Sequence, residues 1–230
     1  MAWRTSANNQ AVTTGAFATF YPQFTCCVWL HKITSGTNNV RIFRKNGITF
    51  SVQTGIPMRL FFPWTTGATF AAPAALNPLG VTSHFACSYD SGSVLNLPRM
   101  YVDGVEQAVV ATTPPTGVVN VAATTGQYIL NNTVGFTQGF QGYASDWRLY
   151  SRVLSPSEVE TIALGRGHDD VRQGLEVQYV MENGVPGAAF TAPIDGSGNG
   201  RTGAVVAAGN TFDALPGGFS GRMRTALRAG

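Results

Sequence analysis

The sequence predicts an all-β protein, a large sandwich or barrel carrying one short helix, and three observations predict it. Short runs in which side chains alternate between two faces recur along the chain, as from Phe24 to His31, and a period of two is the mark of a strand. The 27 glycines and 12 prolines are scattered between those runs, which suits many strands joined by many turns. One segment alone, Ser155 to Gly165, combines a helix start, helical spacing of apolar residues and a stop. A chain of 230 residues fits one large sandwich, since all-β domains commonly reach about 200–250 residues.

The elements follow in order. Phe24, Cys26, Val28 and Leu30 face one way, and Thr25, Cys27, Trp29 and His31 the other. Both sets are largely apolar, so this strand is expected between two layers, with His31 at its rim. Asn46-Gly47 separates RIFRK from ITFSVQ, and this pair favours a two-residue hairpin because both positions need positive φ. MRLFFPW, residues 58–64, reads as a strand stopped by Pro63, and TTGATFAAPAALNPLG after it as a long loop. HFACSYD and RMYVDGVEQAVV supply further strands, the second folded back at Asp103-Gly104. QYILNN and GFQGYASDWRLY continue the pattern. In Ser155-Pro156-Ser157-Glu158 the serine caps the helix, proline fits its first turn and Glu158 returns a bond to the Ser155 amide. Gly165 is expected to be its left-handed stop, and Val159, Ile162 and Ala163 share one face.

Composition excludes several function classes. Charged residues make up 12% of the chain, against about 25% in an average soluble protein. No run approaches the roughly 18 apolar residues that span a bilayer, and MAWRTSANNQ lacks a basic segment followed by an apolar one. The expectation is a protein made without export or membrane insertion. Cys26, Cys27 and Cys87 are odd in number and two are adjacent, facing opposite sides of a strand. They read as small buried hydrophobes; one bridge between neighbouring strands stays open, whereas a disulfide framework or a four-ligand zinc site does not. The net charge of +3 is unevenly placed: residues 1–200 hold eleven Lys/Arg and eleven Asp/Glu, while 201–230 hold Arg201, Arg222, Arg224 and Arg228 against Asp213. A nucleic-acid binder spreads a basic face with interleaved aromatics over its fold, so a tail touching acidic groups on a neighbouring protein is preferred.

HFACSYDSGSVLNLPRMYVDGVEQ and GYASDWRLYSRVLSPSEVETIALG together resemble the laminin-G-like branch of the concanavalin A-like jelly-roll superfamily. The shared pattern is a strand ending in Tyr-Asp, a gap, a Tyr-Val-Asp-Gly hairpin, then an aspartate-containing strand running into Leu-Ser and a short helix. Tyr143 to Tyr150 with Leu154 to Glu158 is its most specific part. The resemblance covers residues 16–165 and implies two antiparallel sheets packed face to face, with the helix on an outer edge. LEVQYVMENG and IDGSGNGRTGAVVAAG resemble the opening of such a domain, yet here they come last. Either the sandwich is circularly permuted, with 175–212 supplying its usual first strands, or a second, truncated unit begins there. So short a segment cannot bury a core alone, which favours permutation. The expected organisation is an N-terminal arm over 1–14, one jelly-roll domain over 15–212 and a basic C-terminal arm over 213–230.

Three functions compete. Some jelly rolls of this superfamily are glycoside hydrolases, which need two carboxylates flanking a cleft. The Glu-x-Asp-x-x-Glu strand associated with its glucanases is absent, Asp169-Asp170 is expected to decorate a surface turn, and Glu158 is explained by the cap. Gly196-Ser197-Gly198-Asn199-Gly200 lacks the lysine and following helix of a phosphate loop. No catalytic residue is assigned. A lectin would stack an exposed aromatic on a sugar and aim polar groups at its hydroxyls; Trp64 with Asp90, Asn131 and Asn132 are the candidates. Each has a structural alternative, Trp64 as a plug at the sandwich end and the others as turn formers. No cofactor or metal is expected; calcium would need a dense set of oxygen ligands, which is not visible. The leading expectation is assembly. Laminin-G-like jelly rolls recur as accessory modules of bacteriophage virions, and the resemblance implies a non-enzymatic virion component such as a capsid decoration or fibre protein. Trp3 and Met223 would anchor the arms and Arg222, Arg224 and Arg228 pair with carboxylates, the partners being further copies of the chain and a major capsid or tail protein.

Overall fold

The computed structural model describes residues 2–5, 11–13, 21–32, 40–45, 47–53, 56–72, 80–120, 127–129, 142–165, 168–180, 193–206 and 211–213. They form β1 (Ala2–Thr5), β2 (Ala11–Thr13), β3 (Gln23–Lys32), β4 (Val40–Lys45), β5 (Ile48–Gln53), β6 (Ile56–Phe62), β7 (Ala68–Ala71) and β8 (Thr82–Asp90). There follow β9 (Arg99–Val102), β10 (Val105–Gln107), β11 (Val110–Thr113), β12 (Gln127–Ile129), β13 (Gly142–Tyr150), α1 (Pro156–Gly165), β14 (Leu175–Tyr179), β15 (Ala204–Val206) and β16 (Thr211–Asp213). The strands make two eight-stranded antiparallel sheets. Sheet A runs β10-β9-β8-β3-β13-β1-β16, with β14 also on β13; sheet B runs β11-β7-β6-β5-β4-β12-β2-β15. Together they are the all-β sandwich with one short helix that the alternation predicts.

The main core lies between the sheets. Phe24, Cys26, Val28 and Leu30 of β3 meet Phe43, Phe50, Leu60 and Phe62 of sheet B in one buried cluster. The Phe24 ring stacks on Phe62 with centroids 6.4 Å apart, and each such aromatic stabilises the fold by about 1.5–3 kcal/mol through its burial. A second cluster lies on the other face of sheet A, where Cys27, Ala86, Tyr101 and Tyr150 pack under Leu154, Val159 and Ile162. β3 is therefore covered on both sides, and its apolar character on both faces is the reason. All three cysteines are buried free thiols, although Cys26 and Cys87 are register partners. Burial pushes all three thiols up. His31 is buried at the end of β3, its Nδ1 lying 2.8 Å from the Thr82 hydroxyl.

Local signals explain the turns. Lys45 pairs with Ile48 across the β4–β5 hairpin, while Asp103 and Gly104 have φ of 49° and 83°, the two positive values of a type I′ turn. The helix opens on a closed capping box: the Glu158 amide donates to Ser155 Oγ at 3.3 Å and the Ser155 amide to Glu158 Oε2 at 2.9 Å. Its end differs from expectation. Gly165 is not among the glycines of positive φ; a Cβ placed there would lie 2.8 Å from Asp169 Cβ, so glycine is required by the close approach of the following loop.

Two further expectations are corrected. The stretch read as a loop after Trp64 contains β7, in which Ala68 and Phe70 point into the core; its Gly, Ala and Pro content masked the alternation. The N-terminal stretch read as an arm contributes strands to both sheets, β1 pairing with β13 and β16, and β2 with β12 and β15. Ladder hydrogen bonds satisfy backbone groups that an isolated arm would leave to water. From the 175–213 stretch, β14 pairs with β13, β15 with β2 and β16 with β1. No helix among the described residues is long and apolar enough to cross a membrane.

Candidate functional site

Of the residues nominated as a sugar site, Trp64 and Asp90 are described, and each has a structural role. Trp64 is 6% exposed, donates from Nε1 to the Tyr89 hydroxyl at 3.0 Å and packs on Phe62. Leu60, Phe62 and Trp64 continue one inward-facing alternation past Pro63, so this indole plugs the core and offers no platform. Asp90 closes a turn: Oδ1 accepts from the Gly92 amide at 2.8 Å and Oδ2 from Gln23 at 2.9 Å. Asn131, Asn132, Arg222, Met223, Arg224 and Arg228 lie outside the described residues. Trp3 is a strand residue of β1, in register with Ala144 and Phe212.

Asp169, expected on a surface turn, is instead buried in the most polar part of the interior. Arg148 of β13, fully buried, forms a two-bond fork with Asp146 at 2.8 Å for each bond. A second fork holds Asp169 at 2.8 and 2.6 Å, and Nη1 also donates to the Tyr150 hydroxyl at 3.1 Å. All five guanidinium N–H donors are thereby used. Burial disfavours the cation, but the Asp169 and Asp146 carboxylates outweigh it and hold Arg148 strongly charged. Burial likewise raises Asp169, and the bonds from Arg148 outweigh that and keep its carboxyl low. The negative charge left over is spread by Gln178, which donates to Asp146 at 2.9 Å, and by the Val171 amide, which donates to Asp169 at 3.1 Å.

Asp146 reaches Arg148 because of a bulge. Its φ is 48°, and the β13–β3 register shifts between Ser145 and Arg148; aspartate tolerates this left-handed backbone better than most residues. The extra residue lets Ala144 and Trp147, three apart, both face the core. The node is closed to solvent and fully bonded, so its work is to tie the loop after α1 to sheet A.

The open site is on sheet B. A cleft of about 420 Å³ lies on the face of β4–β7 that points away from the core, within the roughly 300–1,000 Å³ usual for small-molecule sites. Two cross-strand rows line it: Arg41, Ser51 and Arg59, then Arg44, Thr49, Phe61 and Thr69. Phe61 is 40% exposed, and a Cβ at Gly67, φ +67°, would press within 3.2 Å of its ring. Glycine there leaves the ring its place. Arg41 and Arg44, three residues apart, share this face because the β4–β5 register shifts between Arg41 and Phe43, sending both Ile42 and Phe43 inward. Burial lowers the Arg41 pKa, and the Arg44 charge lowers it further. Sequence reasoning missed this site. The alternations Thr49-Phe50-Ser51 and Arg59-Leu60-Phe61 did carry a signal for half of it.

Among the described residues, the cleft lining contains no Asp, Glu, His or Cys. Among the described residues no group of three His, Cys, Asp or Glu could hold a metal ion.

A two-sheet antiparallel sandwich with a helix laid on one outer face and an open cleft on the other defines a jelly-roll of concanavalin A type. The chain belongs to that superfamily: a laminin-G family model, described as the concanavalin A-like lectin/glucanases superfamily, matches residues 6–160. No curated protein sequence matches. Among solved structures, a candidate carbohydrate-binding protein from Bacteroides ovatus superposes with a TM-score of 0.68 at 16% identity, over 93% of this chain and 60% of its own. The chain thus spans 60% of that protein's length. Domain 4 of an extracellular arabinanase from Geobacillus stearothermophilus, in complex with arabinotriose, gives 0.50 at 17% identity over 70% and 75% of the two chains. These likenesses carry the fold.

Proposed function

We propose that the protein is a non-catalytic carbohydrate-binding module whose ligand lies in the sheet B cleft. The observation that carries this reading is the lining itself: one half-exposed aromatic, Phe61, beside the hydroxyls of Thr49, Ser51 and Thr69 and the forks of three arginines. An aromatic ring gives apolar area to a sugar face, and fixed polar groups orient its hydroxyls. A hydrolase would need an acid and a base at the scissile bond, and the described lining residues supply neither. The names of the two structural relatives, a candidate carbohydrate binder and an arabinotriose-bound domain, support the same reading. It moves the sugar platform from Trp64 to Phe61. The test is a glycan array with the full chain, repeated with Phe61→Ala, alongside a reducing-end assay on any glycan bound. Binding that falls about tenfold or more in the variant, with no sugar released, is the expected result. Binding indifferent to Phe61→Ala would remove the cleft from the account.

A second reading, attachment to a bacteriophage virion, is favoured by one sequence feature: the whole net positive charge lies in residues 201–230. Exposed ion pairs contribute about 0–1 kcal/mol each, so repeated copies would have to supply the affinity. Removal of 220–230 would abolish attachment to purified particles on this reading and leave glycan binding untouched.

A further inference from the structure

We infer that the ligand of the sheet B cleft is an acidic saccharide, one carrying carboxylate or sulfate groups; the inference rests on the carbohydrate-binding reading and names its substrate class. Acidic residues are segregated between the sheets. The strands of sheet B carry Arg41, Arg44, Lys45 and Arg59 and not one Asp or Glu, whereas those of sheet A set Asp90, Glu106, Asp146, Glu176 and Asp213 against Arg4, Lys32, Arg99 and Arg148. This is not overall basicity, since residues 1–200 hold eleven charges of each sign. Three of the four sheet B cations line one cleft. Lys45 turns elsewhere, its Nζ lying 5.4 Å from the centroid of the Tyr21 ring.

Geometry brings the three arginines to bear together. Arg41 and Arg59 both lie beside Ser51, on the two strands flanking it, so about 9–10 Å separates their backbones, well within the length of two arginine side chains. Arg44 joins them through the β4 bulge. Like charges gathered this closely repel: Arg41 is lowered first by burial and further by the Arg44 charge, and an anion between the guanidinium groups relieves that repulsion. Guanidinium forks match the planar pair of carboxylate oxygens and the oxygens of a sulfate. Neutral sugars would need none of this. Single-stranded nucleic acid is disfavoured because its binders stack successive bases on several aromatics, and Phe61 is the one aromatic lining the cleft among the described residues.

The test is calorimetry of the full chain with a galacturonate oligomer, a heparin-derived oligosaccharide, a neutral arabino-oligosaccharide and a single-stranded oligonucleotide. Each is repeated with Arg59→Gln, Arg41→Gln and a tail variant, Arg222→Gln with Arg224→Gln and Arg228→Gln, which controls for attraction to the basic terminus. The inference requires that one acidic saccharide bind, that affinity fall with salt, that each cleft variant lose about tenfold or more, and that the tail variant bind like wild type. Whether carboxylate or sulfate is the group follows from which acidic probe binds. Neutral sugar binding that ignores salt and both cleft variants would overturn the inference and leave the carbohydrate reading standing. Acidic binding lost only in the tail variant, or oligonucleotide binding that matches the acidic sugars, would also overturn it. If no saccharide binds, both readings fall.

Discussion

Replacing Arg148 by methionine removes a buried cation of similar length and leaves Asp146 and Asp169 facing one another in the interior. The guanidinium and both carboxylates have side-chain exposures of 0–1%, so no water screens the change. Five hydrogen bonds are lost at once. Breaking a buried ion pair by removing one partner costs about 3–5 kcal/mol, and at roughly 2–4 °C per kcal/mol for a chain of this size the melting temperature should fall by about 6–20 °C. The sign of the pH dependence tests the cause. In the native protein the Asp169 pKa is lowered, so its contribution is present above the unfolded value and lost as pH falls through the folded one. Without Arg148 the same buried carboxyl is raised instead, and the variant gains relative stability in acid. The gap between the two proteins in urea titrations should therefore narrow below about pH 4. A second variant, Arg148→Met with Asp146→Asn and Asp169→Asn, should recover part of the loss at neutral pH. A single substitution costing under about 1 kcal/mol, or a gap that widens in acid, would refute the account of the node.

Three further outcomes are expected. His84 is buried with both ring nitrogens unpartnered; burial and then the Arg148 charge, against a smaller opposing effect of Asp169, lower its pKa to about 3, so its stabilisation is present above about 6.5 and lost as pH falls toward 3. His84→Phe should flatten the stability profile between about pH 6.5 and 4.5, above the carboxylates, leaving only the slope due to His31, itself lowered by burial; an unchanged slope in denaturant titrations would place the proton elsewhere. Ser155→Ala removes a cap and should cost about 0.5–2 kcal/mol in thermal melts with glycan binding intact, while a neutral result would mean the box at Ser155 and Glu158 is not made in solution. Gly165→Ala should destabilise by pressing on Asp169, whose Cβ would lie 2.8 Å away, and its cost should shrink in the Arg148→Met background; full additivity would decouple the glycine from the node.

What was legible in the sequence was local. Period two in Phe24 to His31 and the capping box at Ser155 need only neighbouring residues, and the Tyr143–Tyr150 strand with Leu154 to Glu158 was enough to indicate the superfamily. Asp169 was misjudged because its partner, Arg148, is twenty-one residues away, and nothing within the Asp169-Asp170 dipeptide marks one side chain as buried. Trp64 takes the structural alternative given to it, a plug in the core, because proline at a strand end removes a donor without changing which side the next residue faces. The cleft was missed because Arg41 and Arg44 stand an odd number of residues apart, which in a regular strand means opposite faces.

That last point joins the two charged regions of the molecule. Each depends on one inserted residue in a strand: in β13 it lets Asp146 fold back on Arg148, and in β4 it lets Arg41 and Arg44 share a face. The outcomes differ because of what covers each sheet. Over sheet A lie α1 and the loop after it, so charges gathered there are sealed from water and must be matched by opposite charge and hydrogen bonds, as Arg148 is. The cleft face of β4–β7 stays open, and Arg59 and Phe61 are exposed there. Charges gathered on an open face are within reach of an incoming anion, which the guanidinium forks can hold. A variant of β4 that deletes Ile42 leaves Arg41 and Arg44 two residues apart, so a regular strand without the bulge should still present both on the cleft face. It should lose the stability contributed by the buried Ile42 side chain and keep acidic-sugar binding, whereas a deletion that folds but no longer binds would show that a shared face is not enough to gather the site.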